Sequence, residues 1–243
     1  MNVDAKSALL IEPISGTVLY EKNPDEKFAP ASVTKIMTML LAMEAVDSGK
    51  ISLDDKIICS ENAKKMGGST MLLDVGEVRT VEEILKGIAI ASGNDAAVAM
   101  AEFLSGSTDE FVKAMNERAK ELGMTNTTFK NCNGLPAEGH VSTARDIAIM
   151  SRELIVNHPE IKEYSTIWMD SITHTTARGE SRFDLANTNK FLKQYNGATG
   201  LKTGSTGKAG FCISATAERN GLHLIAVIMG SETRDIRNDA AKT

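Results

Sequence analysis

Cysteine is scarce in this 243-residue chain: Cys59, Cys132 and Cys212 are the only three, odd in number and far apart. No C-x-x-C pair occurs, so neither a disulfide framework nor a zinc ribbon is indicated, and each cysteine reads as a small buried residue. Histidine is equally sparse. His140, His158, His174 and His223 fit neither H-E-x-x-H nor another paired-ligand spacing, so no metal and no other cofactor is expected. Long apolar runs are missing as well. The longest, Ile36 to Val46, is interrupted by Thr38 and Glu44 and falls short of the ~18 residues a membrane helix needs. Positive charge is not in excess: 27 Lys and Arg stand against 32 Asp and Glu, a net charge of −5. Without a basic tract, nucleic acid is not an expected partner. Met1 to Lys6 lacks the apolar stretch of a signal peptide, which leaves a cytoplasmic protein or a mature extracytoplasmic one. What is present, 42% hydrophobic and 24% charged residues, is ordinary for a globular chain and excludes disordered and fibrous classes.

Lys6 to Glu12 and Thr17 to Lys22 are short apolar runs separated by Pro13-Ile14-Ser15-Gly16, which predicts a β-hairpin. Apolar residues then recur at helical spacing from Ile36 to Val46, with Ser32 ahead of them and Gly49 as the stop. Met37, Met39 and Met43 read as core filler. Thr80-x-x-Glu83 and Ser107-x-x-Glu110 are capping boxes, and Thr143-x-x-Asp146 resembles a third. Beyond His158-Pro159 the pattern turns to strands, at 166–173 and 182–186, with a short helix at 189–195. Two further β-rich runs, 211–218 and 222–229, are joined by Arg219-Asn220-Gly221, a hairpin signal. Strands at both ends with helices between predict an α+β fold. One antiparallel sheet is built from both chain ends and flanked by helices, with an inserted, mostly helical region at about 50–160. No repeat or linker divides the chain, so residues 1–243 are read as one domain.

Several catalytic signatures fail. Gly207-Lys208 has Lys202 where a P-loop needs its first glycine, and no G-x-S-x-G or strand-linked G-x-G-x-x-G occurs. Three short motifs survive, in order: Ser32-Val33-Thr34-Lys35, Ser92-Gly93-Asn94 and Lys202-Thr203-Gly204. Singly they say little, since S-x-x-K recurs at Ser205 to Lys208 and S-x-N at Ser60 to Asn62. Their order, spacing and settings give them weight. Ser92 follows Ser32 by 60 residues and Lys202 lies 110 further on; the first opens a helix, the second joins two helical patterns, and the third leads into a strand.

A serine hydroxyl needs a base to become a useful nucleophile. The i, i+3 spacing puts Lys35 on the helix face of Ser32. Lysine is a base only when neutral, and burial, a helix N-terminus and a second cation, Lys202, would each lower its pKa from about 10.4. Ser92 offers a hydroxyl to pass a proton to a leaving amine. Asn94 offers a carboxamide to hold Lys35 and a substrate amide. Lys202 and Thr203 suit an anionic terminus, and Gly204 removes a side chain where substrate must lie near the backbone.

The chain resembles the low-molecular-weight penicillin-binding proteins of the serine D-alanyl-D-alanine carboxypeptidase family, and is especially similar to Gram-positive sporulation-type members. The three motifs carry the likeness. So do Gly16-Thr17-Val18-Leu19-Tyr20, Asn133-Gly134-Leu135-Pro136, and Gly139-His140 with Ser142-Thr143-Ala144-Arg145-Asp146. The resemblance implies a β-lactamase/transpeptidase-like fold. Ser32 would be acylated by the penultimate D-alanine of a peptidoglycan stem peptide ending in D-Ala-D-Ala, and β-lactams would be covalent inhibitors. The backbone N–H groups of Ser32 and Ser205 would form the oxyanion hole. A family arginine that grips the substrate carboxylate matches Arg237 best, with Arg234 next. The family acts outside the cytoplasmic membrane and usually continues into a small β-domain and often a membrane anchor; a monomer is the default expectation for this chain. Neither is recognisable here, so a catalytic domain without signal or anchor is expected.

Three other readings stand beside this one. A β-lactamase would need an E-x-x-L-N glutamate, of which Glu153-Leu154 with Asn157 is only an echo. A silent peptidoglycan- or β-lactam-binding module would bind without releasing D-alanine. A structural α+β domain would carry the motifs by chance.

Overall fold

The computed structural model describes residues 3–176 and 179–243. The chain opens with a hairpin, β1 (Ser7–Glu12) and β2 (Thr17–Lys22), then makes a 3-10 turn at Ala31–Thr34 that runs into α1 (Lys35–Asp47). The inserted region follows: β3 (Lys56–Ile58), α2 (Glu61–Lys64), β4 (Val78–Thr80), α3 (Val81–Ala89), α4 (Asn94–Ser105), α5 (Thr108–Glu121) and α6 (Ala144–Asn157). Next come α7 (Ile161–Ser165), the hairpin β5 (Met169–Thr176) and β6 (Gly179–Ala186), and α8 (Phe191–Gln194). Strands β7 (Ala198–Thr206), β8 (Gly210–Arg219) and β9 (Leu222–Ser231) and helix α9 (Arg234–Lys242) close the chain.

The five-stranded sheet has the order β2-β1-β9-β8-β7 and is antiparallel throughout, so β1 from the N-terminal end lies between β2 and β9. The expected α+β architecture, with one sheet assembled from both ends, is the one found. Helix α1 runs through the main core. Ile36, Met37, Met39, Leu40 and Met43 are all buried, and a helix apolar on every side must be enclosed on every side. The three methionines are core residues, as the sequence indicates.

Local chemistry sets the helix starts. Thr80 and Glu83 form both halves of a capping box; Ser107 accepts from Glu110 N, but the Glu110 carboxylate turns to Lys113 Nζ, so the expected second box is only a one-sided cap. Thr143 accepts from Asp146 N, but the Asp146 carboxylate turns away to Asn126 N and Thr127 Oγ1, so this third cap is one-sided. Ser60, part of the second S-x-N, is the N-cap of α2.

The sequence reading departs from the structure in a few places. Ser32 lies inside the 3-10 turn rather than at the start of α1, which begins at Lys35. The strand expected at 166–173 is displaced to Met169–Thr176, because residues 161–165 form a helical turn that Thr166 extends by donating its hydroxyl to Lys162 O. Its partner starts earlier than expected, at Gly179. The inserted region also holds a two-stranded sheet, β3 with β4.

Candidate active site

The three motifs meet on one edge of the sheet. Ser32 sits in the turn ahead of α1, Ser92 in the link between α3 and α4, and Lys202 in the edge strand β7. Glycine enforces the approach of β7 to the turn that carries Ser32. A Cβ at Gly204 would lie 2.8 Å from Ser32 N and 3.0 Å from Pro30 O. The neighbour that excludes a side chain there is therefore the Ser32 turn itself, where the sequence suggested the substrate. Gly134 serves the same end from the other side. It has φ +86°, and a Cβ there would fall 1.9 Å from Ala31 O.

Lys35 is fully buried, and its Nζ lies 3.1 Å from Ser32 Oγ, 2.6 Å from Asn94 Oδ1 and 2.7 Å from Asn133 O. A neutral amine has two hydrogens and one lone pair. The two fixed acceptors, a carboxamide oxygen and a peptide carbonyl, take the hydrogens, which turns the lone pair toward the Ser32 hydroxyl. Burial, and then the charge of Lys202, hold the Lys35 amine well below the ordinary lysine value. The expected hold of Asn94 on Lys35 is present. The other end of that carboxamide donates to Gly67 O at 2.7 Å, so Asn94 ties the lysine to the segment before α4.

Lys202 Nζ donates to Ser92 Oγ at 2.9 Å and to Thr203 O at 3.1 Å. Burial, with the Arg237 charge adding to it, brings the Lys202 amine down to about 7. Because Lys202 donates to Ser92 Oγ, the Ser92 O–H remains free to point elsewhere. Ser92 itself has φ +59°, an uncommon conformation for a non-glycine residue of the kind found at functional sites.

These residues border a polar cleft lined by Ser32, Ser69, Ser92, Thr188, Thr203, Gly204, Ser205, Arg234 and Arg237. Both candidate arginines reach it. Arg237 is buried and Arg234 is exposed. Glu153 and Asn157, the echo of a β-lactamase glutamate motif, lie elsewhere: Glu153 accepts from Arg118, and Asn157 bonds Glu153.

Sequence reasoning assigned no role to Asp95, Asn133, Ser69, Thr188 or the ring of His140. Asp95 accepts from Met71 N, Leu73 N and Ala96 N, and Asn94 N donates to Ser69 O, which lashes residues 67–73 to the start of α4 and sets Ser69 on the cleft wall. The position of Asp95 directly after S-x-N was the available signal. His140 Nδ1 accepts from Lys130 N, so its Nε2 carries the proton and donates to Thr34 Oγ1 at 2.8 Å; burial lowers the ring to about 4 and keeps it neutral.

A serine with a buried lysine amine beside it, a second serine–lysine pair across the cleft and arginines at its end have the make-up of a serine acyl-transfer site. Solved structures share the fold closely. D-alanyl-D-alanine carboxypeptidase DacD from Francisella tularensis superposes with a TM-score of 0.94 at 30% identity, over all of this chain and 70% of that one. Penicillin-binding protein D2 from Listeria monocytogenes in its ampicillin-bound form gives 0.85 at 33% identity, over all of this chain and 96% of that one. The family model for D-alanyl-D-alanine carboxypeptidase matches residues 1–233, and the chain belongs to that family. D-alanyl-D-alanine carboxypeptidase DacF of Bacillus subtilis is 54% identical over 97% of this chain. The chain spans 59% of that relative's length.

Proposed function

We propose that this chain is the catalytic part of a serine D-Ala-D-Ala carboxypeptidase that trims peptidoglycan stem peptides outside the cytoplasmic membrane, acts as a monomer and is acylated by β-lactams. The carrying observation is the buried Lys35 amine, fixed by Asn94 Oδ1 and Asn133 O with Ser32 Oγ 3.1 Å away. Ser32 Oγ adds to the penultimate D-alanine carbonyl carbon as its proton passes to Lys35 Nζ. The carbonyl oxygen, now an oxyanion, is received by the N–H groups of Ser32 and Ser205. The C–N bond then breaks, and the terminal D-alanine leaves with the proton that Lys35 took from Ser32, relayed through the Ser92 hydroxyl, which Lys202 orients. Water adds to the acyl-Ser32 ester as Lys35 Nζ takes its proton; the C–Oγ bond then breaks, that proton returns to Ser32 Oγ, and the shortened peptide is freed. Thr203 and Arg237, which line the cleft, receive the terminal carboxylate, with the buried Lys202 Nζ behind Thr203.

A β-lactam follows the first half of this path. Its ring C–N bond opens, the leaving nitrogen stays tethered, and the enzyme gains the mass of the whole drug. The test is intact mass during incubation with penicillin, beside Ser32→Ala, followed by an assay of D-alanine release from a pentapeptide. One lasting adduct on the wild type alone, with release of D-alanine, is the expected result. Drug destroyed without a lasting adduct would instead indicate a β-lactamase, and an adduct without D-alanine release a silent binding module.

A further inference from the structure

Arg237 does not reach the cleft as a free side chain. Its Nε and Nη2 both donate to Asn238 Oδ1, at 3.0 and 2.7 Å, and its Nη1 donates to Cys212 O at 3.5 Å. A guanidinium has five N–H groups, so three are spent on the protein. The remaining two, one on Nη1 and one on Nη2, are left for a ligand, and an end-on pair of this kind matches a carboxylate. Asn238 is itself 1% exposed and is fixed in turn, since its Nδ2 donates to Gln194 Oε1 at 2.8 Å across 44 residues of sequence. Gln194 is the last residue of α8, which the stacked rings of Phe191 and Tyr195 pin beside the sheet. Holding Arg237 against Asn238 costs no charge: an amide oxygen aligns the guanidinium, whereas a carboxylate in its place would neutralise it before substrate arrived.

We infer that Asn238 and Gln194 are positioning residues that aim the Arg237 fork into the cleft and so set the preference for substrates with a free terminal carboxylate. The inference rests on the reading of Arg237 as the carboxylate clamp.

The test compares kcat/KM for a peptide ending in D-Ala-D-Ala with that for the same peptide bearing a terminal carboxamide. Arg237→Ala should collapse the ratio of the two. Asn238→Ala should lower the ratio about tenfold through the carboxylate peptide alone, the usual scale for losing a group that orients a ligand-binding side chain. Asn238→Ala added to Arg237→Ala should change the ratio no further. Gln194→Ala should act in the same direction as Asn238→Ala, and Gln194→Glu, which keeps an acceptor for Asn238 Nδ2, should restore the ratio. Gln194 is exposed, so its variants carry the test if Asn238→Ala does not fold. An Arg237→Ala collapse with no change in Asn238→Ala and Gln194→Ala, or an equal loss on both peptides in those variants, would overturn the inference and leave the clamp intact. An unchanged ratio in Arg237→Ala would overturn the clamp reading, and the inference with it.

Discussion

Two lysines buried in one site are costly, and the cost has a measurable sign. Lys202 titrates near 7 in the folded chain and near 10.4 when unfolded, so between these values the unfolded state binds the extra proton and stability rises with pH. Below about 7 both states are protonated and the full penalty of burying the ammonium applies. Lys202→Met should therefore raise the thermal midpoint most at pH 6 and progressively less toward pH 10, by thermal melts across that range. An increment independent of pH would remove the ammonium as its source. Lys35→Ala should leave the fold in place by circular dichroism and abolish penicillin acylation; a wild-type acylation rate would remove Lys35 as the base. That the two lysines would stand beside Ser32 and Ser92 was legible from residue types and their order. The carbonyl of Asn133 was not, because a backbone acceptor has no signature in a sequence.

Among the elements, the helices with side-chain caps were the most legible. Thr80, Ser107 and Thr143 each mark a start that the structure keeps, since the cap is a local interaction written in neighbouring residues. Thr80→Ala should cost about 1 kcal/mol in denaturant unfolding. Short pieces were not legible. Elements β3, β4, α2 and α7, of three to five residues each, are too brief for a periodicity and exist because of what they pack on. The nucleophile turn is an element held from outside. Gly134→Ala would drive a methyl group into Ala31 O and move Ser32, so acylation should fall by at least about 100-fold, the scale expected of a displacement near 1 Å at a reacting atom. Stopped-flow acylation with a reporter β-lactam checks this, and a loss under threefold would show that the turn yields without moving Ser32.

At the scale of the molecule, the sheet joins the two ends of the chain. Strand β1 is paired on both sides, with β2 and with β9. Deleting residues through Glu12 should therefore abolish cooperative unfolding as well as penicillin binding, whereas a dispensable edge strand would leave both. That closure was readable from strand patterns at both termini. The meeting of three distant motifs in one cleft was not readable from spacing alone; it depends on Gly204 and Gly134 letting separate segments touch.

The scarce cysteines acquire a use in this architecture. Cys59, Cys132 and Cys212 are all buried, and burial pushes their thiols up to about 11, 12 and 11. A thiol-specific reagent at pH 8 meets almost no thiolate in the closed molecule, so each labelling rate reports how often its surroundings open. The three stand at different stations: beside the two-stranded β3–β4 sheet, near Lys35, and close to the start of β8. The native chain therefore carries three internal clocks, and mass spectrometry of the labelled peptides would time the breathing of insert, nucleophile seat and sheet separately, without a single added probe.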